Sequence, residues 1–162
     1  MERNLLCLGL VEGWYGWQSE LDRRGCMNGA PVNSPSPRRR VLLVDDSGVV
    51  RAAVGAALRE AGYEVDDAED GARAQSLLQT GSYDVVITDL QMPGVDGFGV
   101  LEGVKRRDPT GEVVVFTGTY ADDSESIIRA LRLGASDFLV KTACGPQQVV
   151  WSAERAVERS MP

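Results

Sequence analysis

The sequence predicts an α/β protein built on a doubly wound, five-stranded parallel sheet in the order 2-1-3-4-5, with helices on both faces in three layers. Two observations lead there. From residue 41 onward, short continuous apolar runs alternate five times with longer segments of helical period, a (βα)5 pattern. The strand runs read as apolar on both faces, as expected of parallel strands covered by helices on either side. Right-handed crossovers leave few topologies for five such units, and 2-1-3-4-5 is the commonest.

The first strand is Val41 to Val44, followed by a helix from Ser47 to Ala61 whose Val50, Val54, Ala57 and Leu58 share one face. Ser47 reads as its N-cap, and Gly62 stops it. The pattern repeats as strand Tyr63 to Asp67, helix Gly71 to Gln79, strand Val85 to Thr88, and helix Phe98 to Arg107 with Phe98, Leu101 and Val104 inward. Strand Val113 to Phe116, helix Asp122 to Leu133 closed by Gly134, strand Phe138 to Val140 and helix Gln147 to Arg159 complete the series.

The chain has 162 residues, 43% of them hydrophobic, which suits one folded core with a modest appendage. Its net charge of −7 is uneven. Residues 1–40 hold six bases and four acids, leaving eleven bases and twenty acids beyond. An acidic body repels phosphate backbones and anionic lipid, which argues against direct nucleic-acid or membrane binding. Histidine is absent, excluding Ser-His-Asp and Cys-His hydrolases, His-ligated zinc or haem, and a phosphohistidine on this chain. Cys7, Cys26 and Cys144 are odd in number and widely spaced, so neither a disulfide framework nor a thiolate zinc site is indicated. The apolar stretch Leu5 to Val11 is far short of the ~20 residues of a membrane span and has poor signal-peptide flanks. A cytoplasmic protein is expected.

Residues 1–38 read as a disordered leader and Pro-rich linker, and residues 39–160 as the folded domain. Trp14, Tyr15 and Trp17 leave open a short aromatic docking segment, and Met27 an alternative start. The run Arg38 to Arg40 borders the first strand and is assigned no role.

In sheets of this kind ligands bind beyond the carboxyl ends of the strands. Those ends carry Asp45 and Asp46 after the first strand, Asp89 after the third, Thr117 after the fourth and Lys141 after the fifth. Any single aspartate there is ordinarily a cap or a turn former. Three carboxylates ~5 Å apart, however, repel by roughly 3 kcal/mol per pair at an effective dielectric of 20, and a hard dication offsets that. With oxygen ligands alone the natural occupant is Mg²⁺, which also takes phosphate oxygens. An Asp carboxylate beside Mg²⁺ and an ammonium is a competent nucleophile toward phosphorus, giving an aspartyl phosphate.

Val41-Leu-Leu-Val-Asp-Asp46, Asp84-Val-Val-Ile-Thr-Asp-Leu-Gln-Met-Pro-Gly-Val-Asp-Gly97, Val114-Val-Phe-Thr117 and Gly134-Ala-Ser-Asp-Phe-Leu-Val-Lys141 together resemble the receiver domain of two-component response regulators, the CheY-like family with a flavodoxin-like fold. The intervals of 43, 28 and 24 residues between Asp46, Asp89, Thr117 and Lys141 are similar to the family's. The resemblance implies that Asp89 is the phosphoacceptor. It further implies that Asp46, Asp89 and the Gln91 carbonyl ligate Mg²⁺ directly while Asp45 acts through water. Lys141 would meet the phosphoryl oxygens, Thr117 would be the switch hydroxyl, and Phe138 the switch aromatic. Without the resemblance Phe138 reads as a core aromatic. Gln91 and Thr119 stand where family members tune hydrolysis of the aspartyl phosphate, and Gly94 and Gly97 fit a loop bent around the site or an ordinary turn.

Two positions depart from the family pattern. Thr142 follows Lys141 where proline is usual, and a cis bond to a non-proline residue costs about 2.5–4 kcal/mol, so the loop is either trans or strained and Lys141 less firmly aimed. Phe138 lacks the hydroxyl that would hold a tyrosine at the surface, so it is expected to favour the inward rotamer.

Only 21 residues follow Lys141, so the expectation is a stand-alone receiver that works by presenting its fourth helix, fifth strand and fifth helix to a partner. Trp151 is either a contact residue on that surface or edge packing. The phosphodonor histidine would come from a sensor kinase or phosphotransfer protein, and no enzyme activity is expected beyond the chain's own phosphorylation and dephosphorylation. The alternatives are a pseudo-receiver that signals without phosphorylation and, more remotely, an Asp-dependent phosphatase of the haloacid dehalogenase type, which would need Asp-x-Asp where this chain has Asp-Asp.

Overall fold

The computed structural model describes residues 38–118 and 124–162. The leader and linker, with Trp14, Tyr15, Trp17 and Met27, lie outside the described residues except for Arg38, as do Thr119 and the expected helix start at Asp122.

Among the described residues, five strands and five helices alternate: β1 (Arg40–Val44), α1 (Gly48–Glu60), β2 (Glu64–Ala68), α2 (Gly71–Thr80), β3 (Val85–Thr88), α3 (Gly97–Arg107), β4 (Glu112–Thr117), α4 (Ser124–Arg132), β5 (Asp137–Val140) and α5 (Pro146–Ser160). All pairings are parallel and the strand order is β2-β1-β3-β4-β5, as the sequence predicts.

The central strands β1, β3 and β4 are apolar except at their end residues because each face meets a helical layer. Val41, Leu43, Val85, Ile87, Val114 and Phe116 pack toward α1 and α5, joined by Val54, Leu58, Val149, Val150, Ala153, Ala156 and Val157. Leu42, Val44, Val86, Val113 and Val115 pack on the opposite face with Phe98, Leu101 and Val104 of α3. Complete burial of a Val, Leu or Ile side chain contributes about 1.5–3 kcal/mol, so this double layer dominates the stability.

The edge strands differ from the expected apolar pattern. In β2, Glu-Val-Asp-Asp-Ala, only Ala68 is buried, and all four residues of β5 are half-buried. Each has one neighbouring strand and incomplete cover, so polar side chains are tolerated and the exposed edge is less prone to pair with another chain.

Local chemistry sets the boundaries. Ser47, Asp70 and Asp96 cap α1, α2 and α3, their side-chain oxygens accepting from the backbone N–H of Val50, Arg73 and Gly99. Gly62 and Gly134 end their helices at φ 95° and 93°, a conformation side chains with a Cβ resist.

Candidate functional site

The acidic residues near the strand ends fall into two groups. Asp70 and Asp96 are spent on capping, as described above. Asp45 and Asp89 are not. They extend the ladders of β1 and β3, with Asp45 N–H donating to the Ala68 carbonyl at 3.1 Å and Asp89 N–H to Val44 at 2.9 Å. Both carboxylates are therefore carried on rigid backbone at the rim of the sheet, and both are buried, with 1% and 5% of their surface exposed.

The two are held in the same way. One oxygen of Asp45 accepts the Ser47 backbone N–H at 2.9 Å, and one oxygen of Asp89 accepts the Gln91 backbone N–H at 3.1 Å. The other oxygen of each faces Lys141, whose Nζ lies 2.5 Å from Asp45 Oδ2 and 2.6 Å from Asp89 Oδ2. Burial pulls the lysine toward the neutral form, but the two carboxylates outweigh it and hold the ammonium above its ordinary pKa. Burial pushes the Asp45 carboxyl above its usual value despite the opposing pull of Lys141. Asp46 is exposed, and Asp45, Asp46 and Asp89 each offer an oxygen within 4.8 Å of the others.

Lys141 reaches this position from β5 without a cis bond, since no peptide bond among the described residues is cis. Its backbone N–H donates to the Thr117 carbonyl at 2.8 Å, which ties the ends of β4 and β5 together. Of the two possibilities for the Lys141–Thr142 link, the structure has the trans one, and the ammonium still meets Asp89.

Thr117 is fully buried, and its Oγ1 is the one buried side-chain polar atom among the described residues that lacks a hydrogen-bond partner. Leaving such a group unmet costs about 1–3 kcal/mol. An unpaired donor at the carboxylate rim suits a site that receives an oxygen-rich group. Phe138 is neither outward nor fully enclosed; it is half-buried and packed against the core layer of α3.

Two helix-start glycines, Gly97 of α3 and Gly71 of α2, pack tightly against the segment that follows β3. A Cβ on Gly97 would lie 1.9 Å from the Asp89 carbonyl oxygen, and one on Gly71 would lie 2.3 Å from that of Val95. Gly94 takes φ 79°. Sequence reasoning reached Gly94 and Gly97 as a loop bent around the site or an ordinary turn, and Gly71 as a helix start. It missed the packing of Gly71 on Val95, the double bridge of Lys141, and Arg51, whose guanidinium donates to the Asp45 carbonyl at 2.6 Å.

This arrangement matches a known family. The response regulator receiver domain model covers residues 41–151. The chain belongs to that family. Among curated relatives, it is 38% identical over 120 residues to a protein-glutamate methylesterase/protein-glutamine glutaminase of Anaeromyxobacter dehalogenans, covering 74% of this chain and 34% of that protein. It is 35% identical over 125 residues to a gliding motility regulatory protein of Myxococcus xanthus, covering 76% of this chain and 16% of that one. The chain thus spans about a third of the length of the first of these relatives and about a sixth of the second. Among solved structures, the chemotaxis protein CheY4 of Vibrio cholerae superposes with a TM-score of 0.67 at 30% identity, over 74% of this chain and 98% of that one. A CheY-like receiver from Methanospirillum hungatei shares the fold at a TM-score of 0.71 and 20% identity, over 76% of this chain and 96% of its own.

Receiver domains of two-component systems bind Mg²⁺ at an acidic cluster, and Asp45, Asp46 and Asp89 form one here. The donor set is all oxygen and carries three negative charges against one ammonium, which fits a hard divalent cation. No helix among the described residues is long and apolar enough to cross a membrane.

Proposed function

We propose that this receiver takes a phosphoryl group from a phosphohistidine of a partner protein onto Asp89 in a Mg²⁺-dependent reaction. The observation that carries the reading is the cluster of three carboxylates at the carboxyl rim of the sheet, two of them bridged by one ammonium. A carboxylate oxygen of Asp89 attacks phosphorus, the phosphorus–nitrogen bond to the donor imidazole breaks, and the imidazole leaves with the bonding pair. Asp46, Asp89 and the Gln91 carbonyl would hold the metal, with Asp45 behind a water. When bound, Mg²⁺ neutralises phosphoryl oxygens as charge gathers on them. Lys141, released from its two carboxylates, meets one of those oxygens, and the unpaired Thr117 hydroxyl donates to another.

The Thr117 movement opens space at the end of β4, and Phe138, half-buried on β5, turns to fill it. The output is a changed α4, β5 and α5 surface for a downstream protein, the donor being a sensor histidine kinase or phosphotransfer protein. Trp151 is 54% exposed there while Val149, Val150, Ala153, Ala156 and Val157 bury the helix, which favours the contact reading over edge packing. The trans link at Thr142 with Lys141 still on Asp89 weighs against a pseudo-receiver.

Incubation with MgCl₂ and a small acyl phosphate, read by intact mass, tests this. One phosphoryl group should add to wild type and none to Asp89→Asn. Continued turnover of unrelated phosphoesters would instead favour the phosphatase, and an unchanged mass in wild type would favour the pseudo-receiver.

A further inference from the structure

The metal-facing carboxylates need their backbone fixed as well as their charge balanced, and one side chain outside the acidic cluster does this for the first pair. Arg51 lies on the first turns of α1, with its side chain 19% exposed. Its Nη1 donates to the Asp45 carbonyl at 2.6 Å, and its Nε meets Asp67 Oδ2 of β2 at 3.2 Å. The Asp45 carbonyl belongs to the peptide plane from which Asp46 springs. Asp45 has its own restraints in Ser47 and Lys141. Asp46 is exposed, so its backbone is what restrains where its carboxylate can reach.

We propose that Arg51 is the positioning residue of the acidic pair: its forked guanidinium locks the Asp45–Asp46 peptide against β2 and so aims Asp46 at the divalent cation. This rests on the reading of the cluster as a Mg²⁺ and phosphoryl site. The fork is essential to it. A planar guanidinium satisfies a carbonyl and a carboxylate at once, whereas a single ammonium is drawn to the charged acceptor, Asp67, and leaves the carbonyl.

Positioning and plain electrostatics predict opposite results. Arg51 places a cation beside an acidic cluster, so if only its charge mattered, Arg51→Met would bind Mg²⁺ more tightly and Arg51→Lys would bind as wild type does. If it positions, both bind more weakly, since partners that orient metal ligands are worth about 10–100-fold in affinity.

The test is calorimetric titration of the full chain with MgCl₂, with intact-mass rates of phosphorylation by a small acyl phosphate and thermal midpoints alongside. Arg51→Met should weaken Mg²⁺ by about tenfold and Arg51→Lys by more than about threefold, with phosphorylation slowed in parallel. Asp67→Asn removes the charge but leaves an amide oxygen that still accepts from Arg51 Nε, so the fork persists and Mg²⁺ affinity should stay within about twofold of wild type even if the midpoint falls. Arg51→Lys conserves size and charge, so it serves if Arg51→Met does not fold. Mg²⁺ affinity at or above the wild-type level in a folded Arg51 variant overturns the proposal and leaves the phosphoacceptor reading standing. Wild type that neither binds Mg²⁺ nor takes up phosphoryl overturns both.

Discussion

At the scale of single residues the site is a set of groups kept in states they would not choose in water. Asp45 is the clearest case. Burial raises its pKa, and Lys141 only partly reverses the effect, so the ionised carboxylate is less favourable in the folded chain than in the unfolded one. The sign follows. Below the ordinary value of 3.8 the carboxyl is protonated in both states and makes no difference. As pH rises through the raised folded value, the unfolded state gains from ionisation that the native state resists, and stability falls to a lower plateau. Asp45→Asn removes this penalty. Without metal its thermal midpoint should exceed that of wild type at pH 7, and the gap should shrink as pH falls toward 3.8. A gap that widens on acidification would show that Asp45 stabilises the fold as an anion. Lys141 is the counterpart. Its raised pKa keeps it charged through neutrality, and its contribution is lost only as pH climbs through that raised value, in the alkaline range.

At the scale of elements, α3 and β3 form the working unit, because the helix begins where the strand's terminal carboxylate is presented. Gly97 lets the first turn of α3 sit directly on the Asp89 and Leu90 backbone. Gly97→Ala should cost about 3 kcal/mol, the upper part of the overpacking range, and abolish phosphorylation even though no carboxylate is altered. Denaturant unfolding together with intact mass checks both halves, and a stable variant phosphorylated at the normal rate would refute the close approach. The same unit shows what was legible in the sequence. Helical periods and continuous apolar runs revealed all ten elements, since burial on two faces leaves a repeating mark. The edge strand β2 carries the weakest such mark, because Glu64 and Asp67 are exposed and Asp66 is half-buried against Arg40 and Tyr83. Asp45, Asp46, Asp89, Thr117 and Lys141 could be read because strand ends fix their address. Arg51 and the bridge from Lys141 to Asp45 could not, since a single arginine in a helix or a lysine after a strand has the same local signature whether it faces water or a carbonyl. Such contacts depend on tertiary geometry that spacing does not encode.

At the scale of the whole molecule, charge and fold act together. The body beyond residue 40 carries eleven bases against twenty acids, a field that gathers cations, while the sheet concentrates three of those acids at one rim. A diffuse field and a built site respond differently to salt. Mg²⁺ that binds the native state alone stabilises it by RT ln(1 + [Mg²⁺]/Kd), about 2.7 kcal/mol at a hundredfold excess over Kd. For a domain of this size that raises the thermal midpoint by roughly 10 °C or more. The rise should reverse on adding EDTA and should largely vanish in Asp46→Asn, which keeps the buried Asp45–Lys141–Asp89 bridge but loses the exposed ligand. Sodium chloride at matched ionic strength is the decisive control. It screens the acidic body as well as the magnesium salt does but cannot accept three oxygens in a fixed array, so it should leave most of the shift unreproduced. Equal stabilisation by the two salts would mean that the carboxylates repel one another as part of a general surface charge, and that the rim holds no cation of its own.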